Sequence, residues 1–73
     1  MGKLTAREKE VYVFIVAYHD THGYSPSMRD ICRGCYLASL SSASHYVQRL
    51  LEKGYINYTP RTPRSIVVKE TAG

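Results

Sequence analysis

Two cysteines stand in a Cys-x-x-Cys arrangement, at Cys32 and Cys35. This spacing suits half of a zinc site or a thiol redox pair. A complete zinc site is not expected, because the three histidines are scattered and supply no second ligand pair. The redox motif usually follows a strand, whereas residues 27–33 have the pattern of a helix. The arrangement therefore favours two small packed side chains, with redox chemistry and metal binding as the alternatives.

A run of hydroxyl and imidazole side chains occupies residues 39–45 and continues into a second polar turn. Ser and His both donate and accept hydrogen bonds, so they suit base edges and phosphates of DNA. The alternative is a solvated helix face, because Ser is a mediocre helix former that also marks caps. The candidate DNA-contacting residues are Ser39, Ser41, Ser42, Ser44 and His45, with Gln48 and Arg49 expected to approach the DNA backbone.

Two arginines, Arg61 and Arg64, lie in and beside a loop that contains Pro60 and Pro63. Proline restricts the flexibility of the loop, so the arginines are expected to be partly positioned in advance. Their expected target is phosphate or the minor groove of DNA. The alternative is two solvated loop charges.

Two helices are predicted in the first half of the chain. Thr5 and Glu8 have the spacing of a capping box at the start of helix one, which Gly23 should end. Ser27 and Asp30 repeat that spacing at the start of a short helix two, which should reach residues 33–35. The face of helix one expected to pack on the core comprises Val11, Phe14, Ile15, Tyr18 and His22.

A third helix is predicted from Leu40 to about Lys53, between a Ser39 cap and Gly54. Residues 55–58 and 65–69 are predicted to form the two strands of a hairpin. The side of helix three expected to face the core comprises Leu40, Ala43, Tyr46, Val47, Leu50 and Leu51.

The opposite face of helix one carries Val13, Val16 and Ala17 among charged residues. A surface helix is usually polar on this side. Two interpretations are open: tolerated surface apolar residues, or a contact surface for a second copy or another protein.

The composition fits one small domain. The chain has 73 residues, of which 44% are hydrophobic, and we expect a single domain over residues 1–73 with a frayed tail at 70–73. Its net charge of +4 favours an anionic partner. It has no apolar run of about 18 residues and no signal peptide at its start, so we expect no membrane contact and a cytoplasmic location.

Three helices followed by a hairpin is the order of a winged helix-turn-helix, a mainly α fold with a small β-hairpin. In a helix-turn-helix pair the second helix, here helix three, enters the major groove of DNA. We therefore expect a sequence-specific regulator that binds double-stranded DNA without catalysis, cofactor or metal. One alternative is a winged-helix protein-interaction module, such as a mobile-element factor acting on a host regulator. An enzyme that uses the cysteine pair is a more distant alternative.

Three segments carry a family resemblance: residues 4–11 (LTAREKEV), 23–27 (GYSPS) and 49–56 (RLLEKGYI). Together they resemble the N-terminal DNA-binding domain of LexA, the bacterial SOS repressor, over about residues 4–69. The resemblance implies a repressor module that binds its operator as a dimer. It also implies that contacts come from the start of helix three, at Ser39, Ser41, Ser42, Ser44 and His45, and from the wing near Arg64.

The chain departs from that family at several positions. Tyr36 stands where the family usually has Gly, and Gly34 lies two residues earlier, which predicts a shifted turn. The acidic residues that usually follow the opening of the recognition helix are missing, so we expect a different operator. Because the sequence ends at Gly73, we expect no self-cleaving domain, in either a fragment or a natural single-domain regulator. In the second case Val13 and its neighbours would replace the lost dimer contact.

Overall fold

The computed structural model describes residues 3–59, 62 and 64–69. Its helices are α1 (Ala6–His22), α2 (Met28–Gly34) and α3 (Leu40–Glu52). The helices pack against one another, and a small antiparallel sheet follows them. The predicted mainly α winged helix-turn-helix fold is confirmed. Within the described part of the chain, none of the helices has the length and apolar character needed to cross a membrane.

The hairpin is shorter than predicted. Its strands are β1 (Ile56–Asn57) and β2 (Val67–Val68), with Ile56 opposite Val68. The predicted strands at 55–58 and 65–69 were too long because a side chain replaces the ladder at one end. The Oγ of Ser65 accepts from the backbone N–H of Thr59 at 3.1 Å and donates to its carbonyl at 2.9 Å. The loop between the strands, residues 58–66, is called the wing below, and Arg61 lies outside the described residues.

Local side-chain contacts explain where the first two helices begin. The Oγ1 of Thr5 accepts from the N–H of Glu8 at 3.2 Å, and a Glu8 carboxylate oxygen accepts from the N–H of Thr5 at 2.9 Å. Ser27 and Asp30 form the same pair of bonds at the start of α2, each at 3.1 Å. Gly23 ends α1 with a φ of 79°. Both predicted capping boxes and the predicted stop of α1 are therefore confirmed.

The core lies where the three helices meet β1. Its largest fully buried apolar side chains include Ile15, Ile31 and Leu50, as the helical periodicity predicts. Two predicted core positions are wrong, because Leu40 is 48% exposed and His22 is also exposed. Both lie at helix ends, where little of the neighbouring elements remains to cover them. The buried apolar residues are Val11, Ile15, Ile31, Cys35, Ala43, Val47, Leu50, Ile56 and Ile66.

The turn between α2 and α3 uses Tyr36 rather than a glycine. Tyr36 has a φ of 55°, and the N–H of Leu37 donates to the carbonyl of Cys32 at 2.9 Å. This bond and the left-handed residue before it are the features of a Schellman motif, where Gly is usual. The predicted shift of the turn is wrong. Gly34 is instead the last residue of α2 and lies against the ring of Phe14.

Candidate nucleic-acid interface

The start of α3 presents a polar face to solvent. Ser39 is its N-cap, and the Oγ of Ser39 accepts from the N–H of Ser42 at 3.4 Å. Ala43, Val47 and Leu50 bury the opposite side of the helix. Ser42 is half-buried, whereas the other predicted contact residues of this segment are exposed: Ser39, Ser41, Ser44 and His45. The structure therefore brings the predicted polar residues together on the first two turns of one helix.

Gln48 and Arg49 continue this helix and have partners within the protein. The Nε2 of Gln48 donates to a carboxylate oxygen of Glu52 at 3.3 Å. The Nε of Arg49 lies 3.3 Å from Oε2 of Glu8 on α1. Both side chains are exposed, so solvent-facing atoms remain beside these contacts.

Glu8 is a buried carboxylate that joins the start of α1 to the end of α3. Lys53 Nζ lies 2.6 Å from its Oε1, which also accepts from the N–H of Thr5. The hydrogen bond from Lys53 and then the one from Thr5 hold the pKa of Glu8 at about 2, below its ordinary 4.5. This cluster anchors the end of α3 to the start of α1 and so supports the orientation of α3.

Arg64 is the described arginine of the wing, and it is bound to the body of the domain. Its Nη1 lies 3.2 Å from Oδ2 of Asp30 and donates to the carbonyl of Ser25 at 3.0 Å. The same nitrogen lies 3.4 Å from the hydroxyl of Tyr18, and the guanidinium carbon lies 4.7 Å from the ring centre of Tyr24. Sequence reasoning missed this network because its members are distant along the chain. The polar contacts described for Arg64 all use Nη1.

A cleft of about 350 Å³ lies between the start of α2, the start of α3 and the wing. Sequence reasoning did not single out Arg29, an exposed residue of α2 that borders this cleft. The cleft forms only when three separate elements fold together, so no local pattern marks it. Among the described residues, its apolar lining includes Met28, Leu40, Tyr58 and Ile66, and its charged lining consists of Arg29 and Arg64.

The three residues of the predicted interface on α1 differ in their exposure to solvent. Val16 is half-buried and lines a shallow pocket together with Val67 and Val68 of β2. Val13 is 54% exposed, and Ala17 is also exposed. These two residues retain the free apolar surface that the sequence predicts.

The two cysteines are free thiols in a packed environment. The Sγ of Cys32 lies 3.3 Å from the carbonyl of Leu37, and Cys35 is buried. Burial raises the pKa of the Cys35 thiol, which disfavours the reactive thiolate. Within residues 3–59, 62 and 64–69, no group of three or more metal-ligating side chains is found. The packing interpretation of the pair fits these contacts.

Comparison with known proteins identifies the family. The family model described as "LexA DNA binding domain" matches residues 1–65. The LexA repressor of Staphylococcus epidermidis is 43% identical over 68 residues, which cover 93% of this chain and 33% of that protein. The LexA repressor of Carboxydothermus hydrogenoformans is 38% identical over 63 residues, covering 86% of this chain and 31% of that protein.

These matches agree with the motifs and with the winged helix-turn-helix fold. The chain spans about one third of the length of the curated relatives it matches. None of them favours the alternative of a protein-interaction module. The chain belongs to the LexA DNA binding domain family.

Proposed function

We propose that this chain binds a specific sequence of double-stranded DNA and acts as the DNA-binding module of a transcriptional repressor. The observation that carries the proposal is the exposed hydroxyl and imidazole face at the start of α3. A major groove admits one helix, and residues near the helix start lie closest to the base edges. The family match and the LexA repressor relatives support the same function.

Each candidate residue has a distinct role in this proposal. Gln48 and Arg49 lie further along α3 and approach the DNA backbone. Arg61 and Arg64 contact phosphate or the minor groove beside the wing. Because the polar contacts of Arg64 use Nη1, its Nε and Nη2 remain as donors for DNA. The residues assigned to base edges and nearby phosphates are Ser39, Ser41, Ser42, Ser44 and His45.

The proposed regulator has no catalytic step of its own and works in the cytoplasm, where bacterial chromosomal DNA lies. It binds DNA as a homodimer, because a symmetric operator needs two copies of the module. We assign the contact between the two copies to Val13 and Ala17 of α1, which are the exposed members of the predicted interface. Sedimentation of the wild type and of Val13→Glu checks this assignment. Two monomeric samples with equal DNA affinity would contradict it.

Selection from a pool of random duplexes, followed by footprinting, tests the function. A preferred sequence with two half-sites is expected. Substitution of Ser41 or His45 by Ala should change which sequence is preferred, because these residues face the base edges. Arg61→Ala should instead weaken binding to all sequences and reduce its salt dependence. A selection that returns no sequence bound above non-specific affinity would overturn the proposal.

A further inference from the structure

We propose that the cleft beside Arg29 holds the sugar–phosphate backbone of one DNA strand, with Arg29 as the phosphate contact. The cleft is the one between the start of α2, the start of α3 and the wing. This inference rests on the DNA-binding function proposed above. It adds a binding residue on α2, an element that the proposed contacts on α3 and the wing do not include.

The position of the cleft selects a backbone strand as its occupant. Leu40, which borders the cleft, is the first residue of α3 and stands between Ser39 and Ser41 of the polar face. Thr62 borders it from the wing. The major and minor grooves of B-DNA are separated by one sugar–phosphate backbone. If α3 lies in the major groove and the wing lies beside the adjacent minor groove, the DNA backbone between these grooves passes over this cleft.

The chemistry of the cleft fits the same occupant. Met28, Leu40 and Tyr58 give it apolar surface, which suits the deoxyribose rings. No acidic residue borders it among the described residues. Arg64 also borders the cleft, but its Nη1 is held by Asp30 at 3.2 Å and by the carbonyl of Ser25, so only its other nitrogens can reach DNA.

Arg29 is the side chain that we assign to the phosphate in this cleft. It is exposed, and no ion pair or hydrogen bond from its side chain is found among residues 3–59, 62 and 64–69. Guanidinium groups bind phosphate through two parallel N–H donors, which gives a directed contact as well as charge. An exposed arginine at the edge of an apolar cleft is thus suited to a sugar–phosphate chain.

Arg33 provides a matched control for the test. It is an exposed arginine one turn further along α2 and does not border the cleft. Removing either arginine lowers the net charge equally, so a general electrostatic effect would weaken DNA binding to a similar extent. The two variants, Arg29→Ala and Arg33→Ala, are compared with the wild type by fluorescence anisotropy on the selected duplex at several salt concentrations.

The proposal predicts unequal losses. Arg29→Ala should weaken binding about tenfold, since it removes a charge-assisted hydrogen bond to phosphate. The slope of log K against log salt concentration should fall in magnitude by about 0.9 for the one lost phosphate contact. Arg33→Ala should change the affinity less than about twofold, as for an exposed charge outside the cleft. Arg29→Lys keeps the charge and should retain part of the affinity.

A second measurement locates the phosphate. Duplexes that carry one neutral methylphosphonate at a time are bound to the wild type and to Arg29→Ala. Neutralising one particular phosphate should weaken DNA binding by the wild type but should have little further effect on binding by Arg29→Ala. Equal losses for the two alanine variants, or additive effects at every phosphate, would overturn the cleft assignment. A wild type that selects no sequence would instead count against the proposed function, so the two failures are distinguishable.

Discussion

Lys53 Nζ lies 2.6 Å from Oε1 of Glu8, so the C-cap residue of α3 is joined to the first turn of α1. Arg49 of α3 lies 3.3 Å from the other carboxylate oxygen. One buried acid therefore holds two cations of the helix that we assign to the major groove. The ionised form of Glu8 therefore contributes to holding that helix in place.

This arrangement predicts a specific loss of stability in acid. The pKa of Glu8 is about 2 in the folded chain, below its ordinary 4.5. A carboxylate with a lowered folded-state pKa stabilises the fold fully above the unfolded value. The contribution of Glu8 should therefore be intact at neutral pH and should decline as the pH falls from about 4.5 towards 2. Thermal unfolding followed by circular dichroism between pH 7 and pH 2 measures this decline.

Glu8→Gln and Glu10→Gln separate this effect from general acid denaturation. Glu8→Gln should lower Tm at neutral pH. It should also reduce the further fall in Tm between about pH 4.5 and pH 2, because no carboxylate remains at position 8 to be protonated. Glu10, whose side chain is 60% exposed in its pair with Arg7, should tolerate the same change with little effect. An equal fall in Tm with acid for the wild type and Glu8→Gln would contradict the assignment.

A second prediction concerns the contact between Gly34 and Phe14. A Cβ at position 34 would overlap the Phe14 ring, so Gly34→Ala should destabilise the fold by about 1–3 kcal/mol through overpacking. Gly23→Ala is the comparison, because position 23 has open space but a φ of 79°. It should cost about 1 kcal/mol through the backbone alone.

Urea unfolding in a Phe14→Ala background distinguishes these two causes. The cost of Gly34→Ala should largely disappear there, since the ring that it overlaps has been removed. The cost of Gly23→Ala should stay the same in both backgrounds. An undiminished cost for Gly34→Ala would show that the overlap with Phe14 is not its cause.

A third prediction concerns the left-handed residue in the turn. Tyr36 has a φ of 55°, and its side chain is 91% exposed, so packing offsets little of the backbone cost. Tyr36→Gly should therefore stabilise the fold by about 1 kcal/mol. Tyr36→Ala keeps the Cβ that causes the strain and should give no such gain. Urea unfolding of the three proteins provides the measurement, and an equal gain for Ala and Gly would argue against backbone strain.

The sequence predicted local features of this fold better than distant ones. The Thr5–Glu8 and Ser27–Asp30 capping boxes are short-range and were found at the predicted positions. Periodicity also placed Ile15 correctly in the core. Both signals depend only on neighbours within a few turns of one helix.

Features that depend on tertiary contacts were not predictable in the same way. Leu40 fits the apolar stripe of α3, but the body of the domain leaves it half-exposed beside the wing. The partners of Arg64, Tyr18 and Asp30 among them, come from segments far from it in the chain. For the candidate site, the sequence therefore identified the polar face of α3 but missed Arg29 and the network that holds Arg64.

The last prediction follows from the contact between Arg64 and Asp30. Removing a negative charge from a DNA-binding domain ordinarily strengthens its binding to DNA. Asp30→Asn should do the opposite, because Asp30 holds the Arg64 guanidinium and with it the end of the wing. We expect a loss on the order of 1 kcal/mol in DNA binding, typical of coupling between contacting residues. Asp20→Asn, an exposed change on α1, is the control and should not weaken binding.

A double-mutant cycle with Arg64→Ala tests the mechanism of that loss. If Asp30 acts through Arg64, Asp30→Asn should no longer weaken binding once Arg64 is removed. Affinities are measured by anisotropy at a temperature where circular dichroism shows every variant folded, since Asp30 also caps α2. Stronger binding by Asp30→Asn in the wild-type background would show that the wing does not need this ion pair. An equal loss in both backgrounds would assign the effect to the cap of α2 instead.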